Sequence, residues 1–272
     1  MKPGTPKTKT TYALRFVALG YLLALIAFPV GYILFRTFED GIGPAWEAIT
    51  RPAAVHALWL TVLIALIAVP LNTVFGVLCA IAIVRHRFRG KALLNALIDL
   101  PLGVSPVVVG LALLIVYGRK GWFGGWLFDH GIRMMYALPA MVLATIFVSL
   151  PFVVREVVPV LREIGTDQEQ AASTLGASTM QTFRLITLPA IRRGIAFGVT
   201  LTTARALGEF GAVSIVSGKL AGRTETLTLH VEERFQAFDL TGAYTASVVL
   251  ALLALATLFV MQAFKGEPEE DA

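Results

Sequence analysis

An all-α membrane protein with six transmembrane helices is the fold class this sequence predicts, and three observations predict it. Hydrophobic residues make up 56% of the 272 residues and charged residues only 15%, unlike the balance of a soluble domain. The charges are gathered into clusters, leaving uncharged runs at 16–35, 52–84, 100–118, 134–154 and 240–264. Each run has about the 20 residues that a bilayer span requires, and each is apolar on every side, which a surface helix of a soluble core is not.

Taken in order, the first run follows Lys2, Lys7 and Lys9, a pattern shared with secretory signals. The run is too long for one, and Phe35-Arg36-Thr37 is no small-residue cleavage site, so it is expected to remain as the first helix. The second run holds the single cysteine, Cys79, a small packing residue with no disulfide partner, and ends in the basic block Arg85-His86-Arg87-Phe88-Arg89-Gly90-Lys91. Such a block directly after a span reads as a topology anchor. The third span, about 96–118, carries Pro101, Gly103, Ser105, Pro106 and Gly110, a density of helix breakers that allows either a bending helix or simple kinked packing.

The fourth run, 134–154, leads into 155–193, which is too long for a plain connection and is patterned as two short helices. Thr166-Asp167-Gln168-Glu169 fits a capping box, Ala171, Ala172 and Leu175 share one helix surface, and Gly176 supplies a left-handed stop. Ser178-Thr179-Met180-Gln181 repeats the capping pattern, and the second helix is expected to carry Met180, Phe183, Leu185 and Ile186 until Pro189 ends it. Patterning alone fits a docking element for a partner and an amphipathic connector on the lipid surface equally well.

A sixth run, 194–218, is as long and apolar as the others but carries Arg205 and Glu209 near its centre. Four residues apart on one helix face, the two neutralise each other, as an ionisable group inside a membrane requires. The pair serves either as a clamp between helices or as a polar step for an anion, with Thr200, Thr202, Thr203, Ser214 and Ser217 as further hydroxyls that ordinarily bond to backbone carbonyls. The last run, 240–264, completes a domain at 16–264 between tails 1–15 and 265–272.

Six spans put both termini on one side, and the basic residues decide which. The segments 1–15, 85–99, 155–193 and 265–272 hold 14 Lys and Arg, against 8 in 36–51, 119–133 and 219–239. Both termini are therefore placed in the cytoplasm. With those charges assigned to membrane flanks, the net charge of +5 calls for lipid contact and no nucleic acid. His56, His86, His130 and His230 are widely separated, so no metal and no other cofactor is expected.

Gln170-Ala171-Ala172, three residues, Gly176, nine residues, then Ile186-Thr187-Leu188-Pro189 resembles the coupling-loop signature of binding-protein-dependent importer permeases, Glu-Ala-Ala, three, Gly, nine, Ile-x-Leu-Pro. The spacing agrees throughout; Gln170 stands where the family usually has Glu, with Glu169 just before it. The stretch 204–218 resembles the fifth-helix signature of the sulfate, molybdate and tungstate permeases. Leu71-Asn72-Thr73-Val74-Phe75-Gly76 and Gly222-Arg223-Thr224-Glu225-Thr226-Leu227-Thr228-Leu229-His230 are similar to the W-type sulfate permease subunits.

The resemblance, from about Arg15 to Phe264, implies the type I permease fold of ATP-binding-cassette importers. It implies a coupling loop carried by Glu169, Gln170, Ala171, Ala172, Gly176, Ile186, Leu188 and Pro189; Arg205, Glu209 and Ser214 are the candidate translocation path if the buried pair is a polar step rather than a clamp. It implies a homologous T-type permease, two cytoplasmic ATPase subunits and a periplasmic sulfate- or thiosulfate-binding protein as partners. It also implies no catalysis here, and the chain has no G-x-x-x-x-G-K-[ST] phosphate loop. Molybdate or tungstate import is the alternative within this class; an ATP-independent anion channel stands outside it. A membrane-embedded enzyme would need a motif such as His-Glu-x-x-His, which is absent.

Overall fold

The computed structural model describes residues 9–264, and among these every regular element is a helix. The expected tails fall largely outside them, at residues 1–8 and 265–272. The elements are α1 (Lys9–Phe38), α2 (Ile42–Thr50), α3 (Pro52–Arg85), α4 (Lys91–Gly103), α5 (Pro106–Tyr117), α6 (Gly124–Asp129), α7 (Leu138–Ile164), α8 (Asp167–Thr174), α9 (Thr179–Thr182), α10 (Leu188–Leu207), α11 (Gly211–Val216), α12 (Leu227–Gln236) and α13 (Leu240–Phe264). Five stretches among the described residues are long and apolar enough to cross a membrane, and the bent pair α4–α5 makes a sixth.

The core is the trio α3, α7 and α10. Apolar surface drives no helices together in lipid, so close approach needs small residues at the contacts. Val153 of α7 fits between two such positions: a Cβ added to Gly76 of α3 would lie 2.7 Å from the Val153 Cβ, and one added to Gly198 of α10 would lie 2.8 Å from its Cα. Ala57, Ala68, Ala80 and Ala144 are likewise fully buried. Asn72 adds a polar tie inside the bundle, donating from Nδ2 to the Ser149 hydroxyl (2.8 Å) and to the Ile146 carbonyl (3.1 Å). By contrast α1 exposes Phe16, Leu19, Leu23 and Phe28, as a helix at the lipid boundary does.

The breaker-rich third span is two helices that meet at 113°. Ser105 and Pro106 start the second: Pro fixes its own φ, lacks the amide that a continuous helix would need, and suits a first helical turn. After the bend α4 lies against α7, where Arg155 pairs with Asp99, while α5 lies against α11.

The stretch with Arg205 also differs from the expected single helix at 194–218. A long helix runs from Thr179 to Leu207, and the chain breaks at Gly208–Phe210 before the short α11. Nor does Pro189 end the loop's second helix. The turn Phe183–Thr187 widens to π geometry, with the Leu188 amide reaching back to the Phe183 carbonyl, and this lets the helix pass through a residue that has no amide to donate.

Candidate functional site

One end of the bundle is organised by Arg85, the last residue of α3. Its guanidinium donates to the carbonyls of Leu161 (3.0 Å) and Gly165 (2.6 Å) at the end of α7, and pairs with Glu169 of α8 at 2.9 Å. Glu169 in turn accepts from the Thr187 hydroxyl at 2.8 Å. Four segments distant in sequence thus share one mostly buried network, in which each charged group has an opposite partner and further hydrogen bonds.

That network corrects one expectation. Thr166 does not cap α8 with its side chain, and the box with Glu169 is not formed. A carboxylate gains more from a fixed guanidinium than from a neutral backbone amide, and Glu169 turns to Arg85. Thr166 instead accepts from Gln170 Nε2 at 2.9 Å. The second box is present: the Gln181 amide donates to Ser178 Oγ at 3.3 Å, and the Ser178 amide to Gln181 Oε1 at 2.8 Å.

Between α8 and α9 the chain turns at Gly176, whose φ of +86° lies in the left-handed region. The Ala177 amide bonds to the Ala172 carbonyl and the Gly176 amide to that of Ser173, closing the α8 end as a Schellman motif. Gln170 and Ala171 are exposed and Ala172 half-buried; Ile186 lies half-buried in the π turn, with Leu188 and Pro189 exposed after it. Leu175, beside the turn, is 89% exposed, and Met180 and Leu185 are also uncovered. A cavity of about 550 Å³ separates this helix pair from the end of α3, lined by Ile81, Arg85, Ser173, Ala177, Met180 and Phe183. The arrangement is a braced, apolar-tipped knob, chemically suited to insertion into a groove.

Arg205 and Glu209 meet at 2.6 Å, but across the end of α10 rather than along one helix. Glu209 is 3% exposed, while 29% of the Arg205 side chain is open. The second Glu209 oxygen accepts from the Ala212 amide at 2.8 Å in the first turn of α11, and the Glu209 carbonyl accepts from the Thr228 hydroxyl at 2.8 Å. Glu209 therefore joins α10, α11 and α12. Ser214, grouped with this pair in the sequence, donates to the Gly211 carbonyl, as Thr200 and Thr203 do to carbonyls four residues earlier.

Histidine spacing alone misses a third constellation. Glu225 and His230 are both buried and touch at 3.2 Å (Oε1 to Nδ1), and Glu233, exposed on the next turn of α12, brings a carboxylate oxygen near them. The separations of five and three residues are the signal that carboxylates counted together with histidine would have given.

A bundle of membrane-length helices with broken third and fifth crossings and a braced helix pair at one end defines a multi-pass membrane protein. The model of the family described as "Binding-protein-dependent transport system inner membrane component" matches residues 72–265, and the chain belongs to that family. It is 47% identical over 258 residues to the sulfate transport system permease protein CysW of Synechocystis sp., covering 94% of both chains. Against the sulfate transport system permease protein CysT of Escherichia coli identity is 38%, covering 92% of this chain and 91% of the other. A solved bacterial alginate transporter, in complex with a periplasmic protein carrying an alginate pentasaccharide, shares the fold at TM-score 0.77 and 16% identity, covering 94% of this chain and 93% of its own.

Proposed function

We propose that this chain is one of two membrane subunits of an ATP-driven importer that carries sulfate, and thiosulfate with it, inward across the inner membrane. The observation that carries the reading is 47% identity, nearly end to end, to a sulfate permease subunit of the W type. The lower identity to a T-type subunit supports a related but distinct chain as the second half of the pore. The shared fold with a transporter solved together with its periplasmic protein supports delivery of the anion from that side.

ATP is hydrolysed by a separate pair of cytoplasmic subunits, each of which docks on a coupling loop. In this chain the loop is Glu169, Gln170, Ala171, Ala172, Gly176, Ile186, Leu188 and Pro189. Leu175 and Met180 supply apolar contact, and Arg85 carries displacement of α8 into α3 and α7. Arg205, Glu209 and Ser214 stand by the translocation path: Arg205 attracts the dianion, and Glu209 keeps it from being held too tightly.

The test is uptake of radiolabelled sulfate into proteoliposomes holding this chain with its T-type partner, ATPase and binding protein. Uptake that needs ATP and is outcompeted by thiosulfate supports the reading. Uptake without ATP would indicate a channel, and preferential uptake of molybdate or tungstate would reassign the substrate.

A further inference from the structure

We propose that Glu225, His230 and Glu233 form a binding site for one divalent transition cation, of the zinc class, at the start of α12. One ligand atom from each of the three residues lies within 4.8 Å of the other two. The Glu225–His230 contact of 3.2 Å is close to the separation of about 3.4 Å expected for two ligand atoms each about 2.1 Å from a tetrahedral ion.

Burial supplies the independent reason. Glu225 is 1% exposed, and its Oε2 atom is buried with no hydrogen-bond partner. A carboxylate removed from water needs compensation for both oxygens. The imidazole at Oε1 offers one bond and, as a cation, one charge; it leaves Oε2 unserved. A divalent ion chelated by both Glu225 oxygens resolves both deficits, and with Glu233 and a neutral imidazole it leaves the site without net charge.

Glu233 stands at the solvent side and gives the ion an entry. There Arg234 competes for Oε2 of Glu233 at 2.7 Å, so binding requires that exposed contact to be exchanged. The ion would pin the loop that leads into α12, next to the point where the Leu227 amide donates to Thr61 of α3 at 2.8 Å.

The experiment uses the full chain in detergent, purified without a polyhistidine tag and stripped with chelator, then titrated with Zn²⁺ by calorimetry and with Co²⁺ by visible absorption. Expected are one equivalent of Zn²⁺ and a tetrahedral Co²⁺ spectrum, with affinity about tenfold or more lower in Glu233→Gln and lost in His230→Gln. Glu233 is exposed, so its variant keeps the fold and remains informative if the buried variants do not accumulate. Absence of stoichiometric binding, or binding unchanged in Glu233→Gln, overturns the site and leaves a hydrogen-bonded imidazole–carboxylate pair. Because the readout is binding to the isolated chain, it is independent of whether the chain transports sulfate.

Discussion

Glu209 shows how much one side chain is asked to do. It is nearly inaccessible, and its two oxygens serve Arg205 and the amide that starts α11. Removing Arg205 leaves a buried carboxylate with a single neutral donor, a change of about 3–5 kcal/mol. Arg205→Ala is therefore expected to lower the yield of assembled complex sharply. Arg205→Met with Glu209→Gln removes both charges, and glutamine keeps a carbonyl for the Ala212 amide, so assembly should recover. Glu209→Leu in the same background loses that acceptor and should lie about 1–3 kcal/mol lower in stability. Complex yield and sulfate uptake measured together separate the roles: recovery of both supports a clamp, and recovery of yield alone supports a contact with the anion. Equal yields for the glutamine and leucine versions would show that the α11 contact contributes nothing. The two-helix loop with its turn at Gly176 was legible at this scale because its residues have fixed local spacing. Arg85, 84 residues before Glu169, was not, since no local pattern connects a basic topology block to a carboxylate that reads as a helix cap.

Among the elements, length and apolarity were enough to find the membrane-length helices, because the bilayer admits few other solutions, but not the short α2, α6 and α12 in the loops between them. The breaks were less visible. Pro and Gly density marked the third span, whereas the π turn before Pro189 and the gap at Gly208–Phe210 arise from backbone bonding that apolar composition does not encode. Small residues at helix contacts also have no signature of their own, and Gly198 and Gly31 look alike in sequence. In the fold they differ: a Cβ at Gly198 meets the Val153 backbone, and one at Gly31 meets nothing within 4 Å. Gly198→Ala should cost about 1–3 kcal/mol by forcing α7 and α10 apart, and Gly31→Ala should cost nothing. Thermal unfolding of both variants in detergent checks this, and equal midpoints would refute the packing argument. At Gly176 the constraint is conformational, since open space surrounds the added Cβ but φ is +86°. Gly176→Val should insert normally and lose ATP-driven uptake, while Gly176→Asn, which tolerates the left-handed region, should retain much of it. Equal loss in both would mean that the turn is not the reason.

At the scale of the whole molecule, tertiary contacts sort the loops into two ends. At one, Arg85 gathers Leu161, Gly165 and Glu169, with Thr187 behind them. At the other, Arg51 holds Asp239 at 2.8 Å and His56 contacts the Arg223 carbonyl at 3.2 Å. The 34-residue α3 has Arg51 before its first turn and Arg85 in its last, about 50 Å apart at 1.5 Å per residue, more than the roughly 30 Å of hydrocarbon a span must cross. The two ends therefore lie on opposite sides of the membrane. Loops 85–99 and 155–193, which hold nine of the basic residues assigned inward, share the Arg85 end, and the less basic 36–51 and 219–239 share the other. The excess of Lys and Arg at the Arg85 end predicts that this end faces the cytoplasm. Reporter fusions at Arg89 and Gly176 should accordingly behave as cytoplasmic, and fusions at Gly43, Gly125 and Gly222 as periplasmic. The contacts make this more than five separate outcomes, because Arg89 and Gly176 must report the same side as each other whichever side it is. A split between them would contradict the Arg85 network itself, and a joint reversal would keep the fold but put the proposed coupling loop out of reach of a cytoplasmic ATPase.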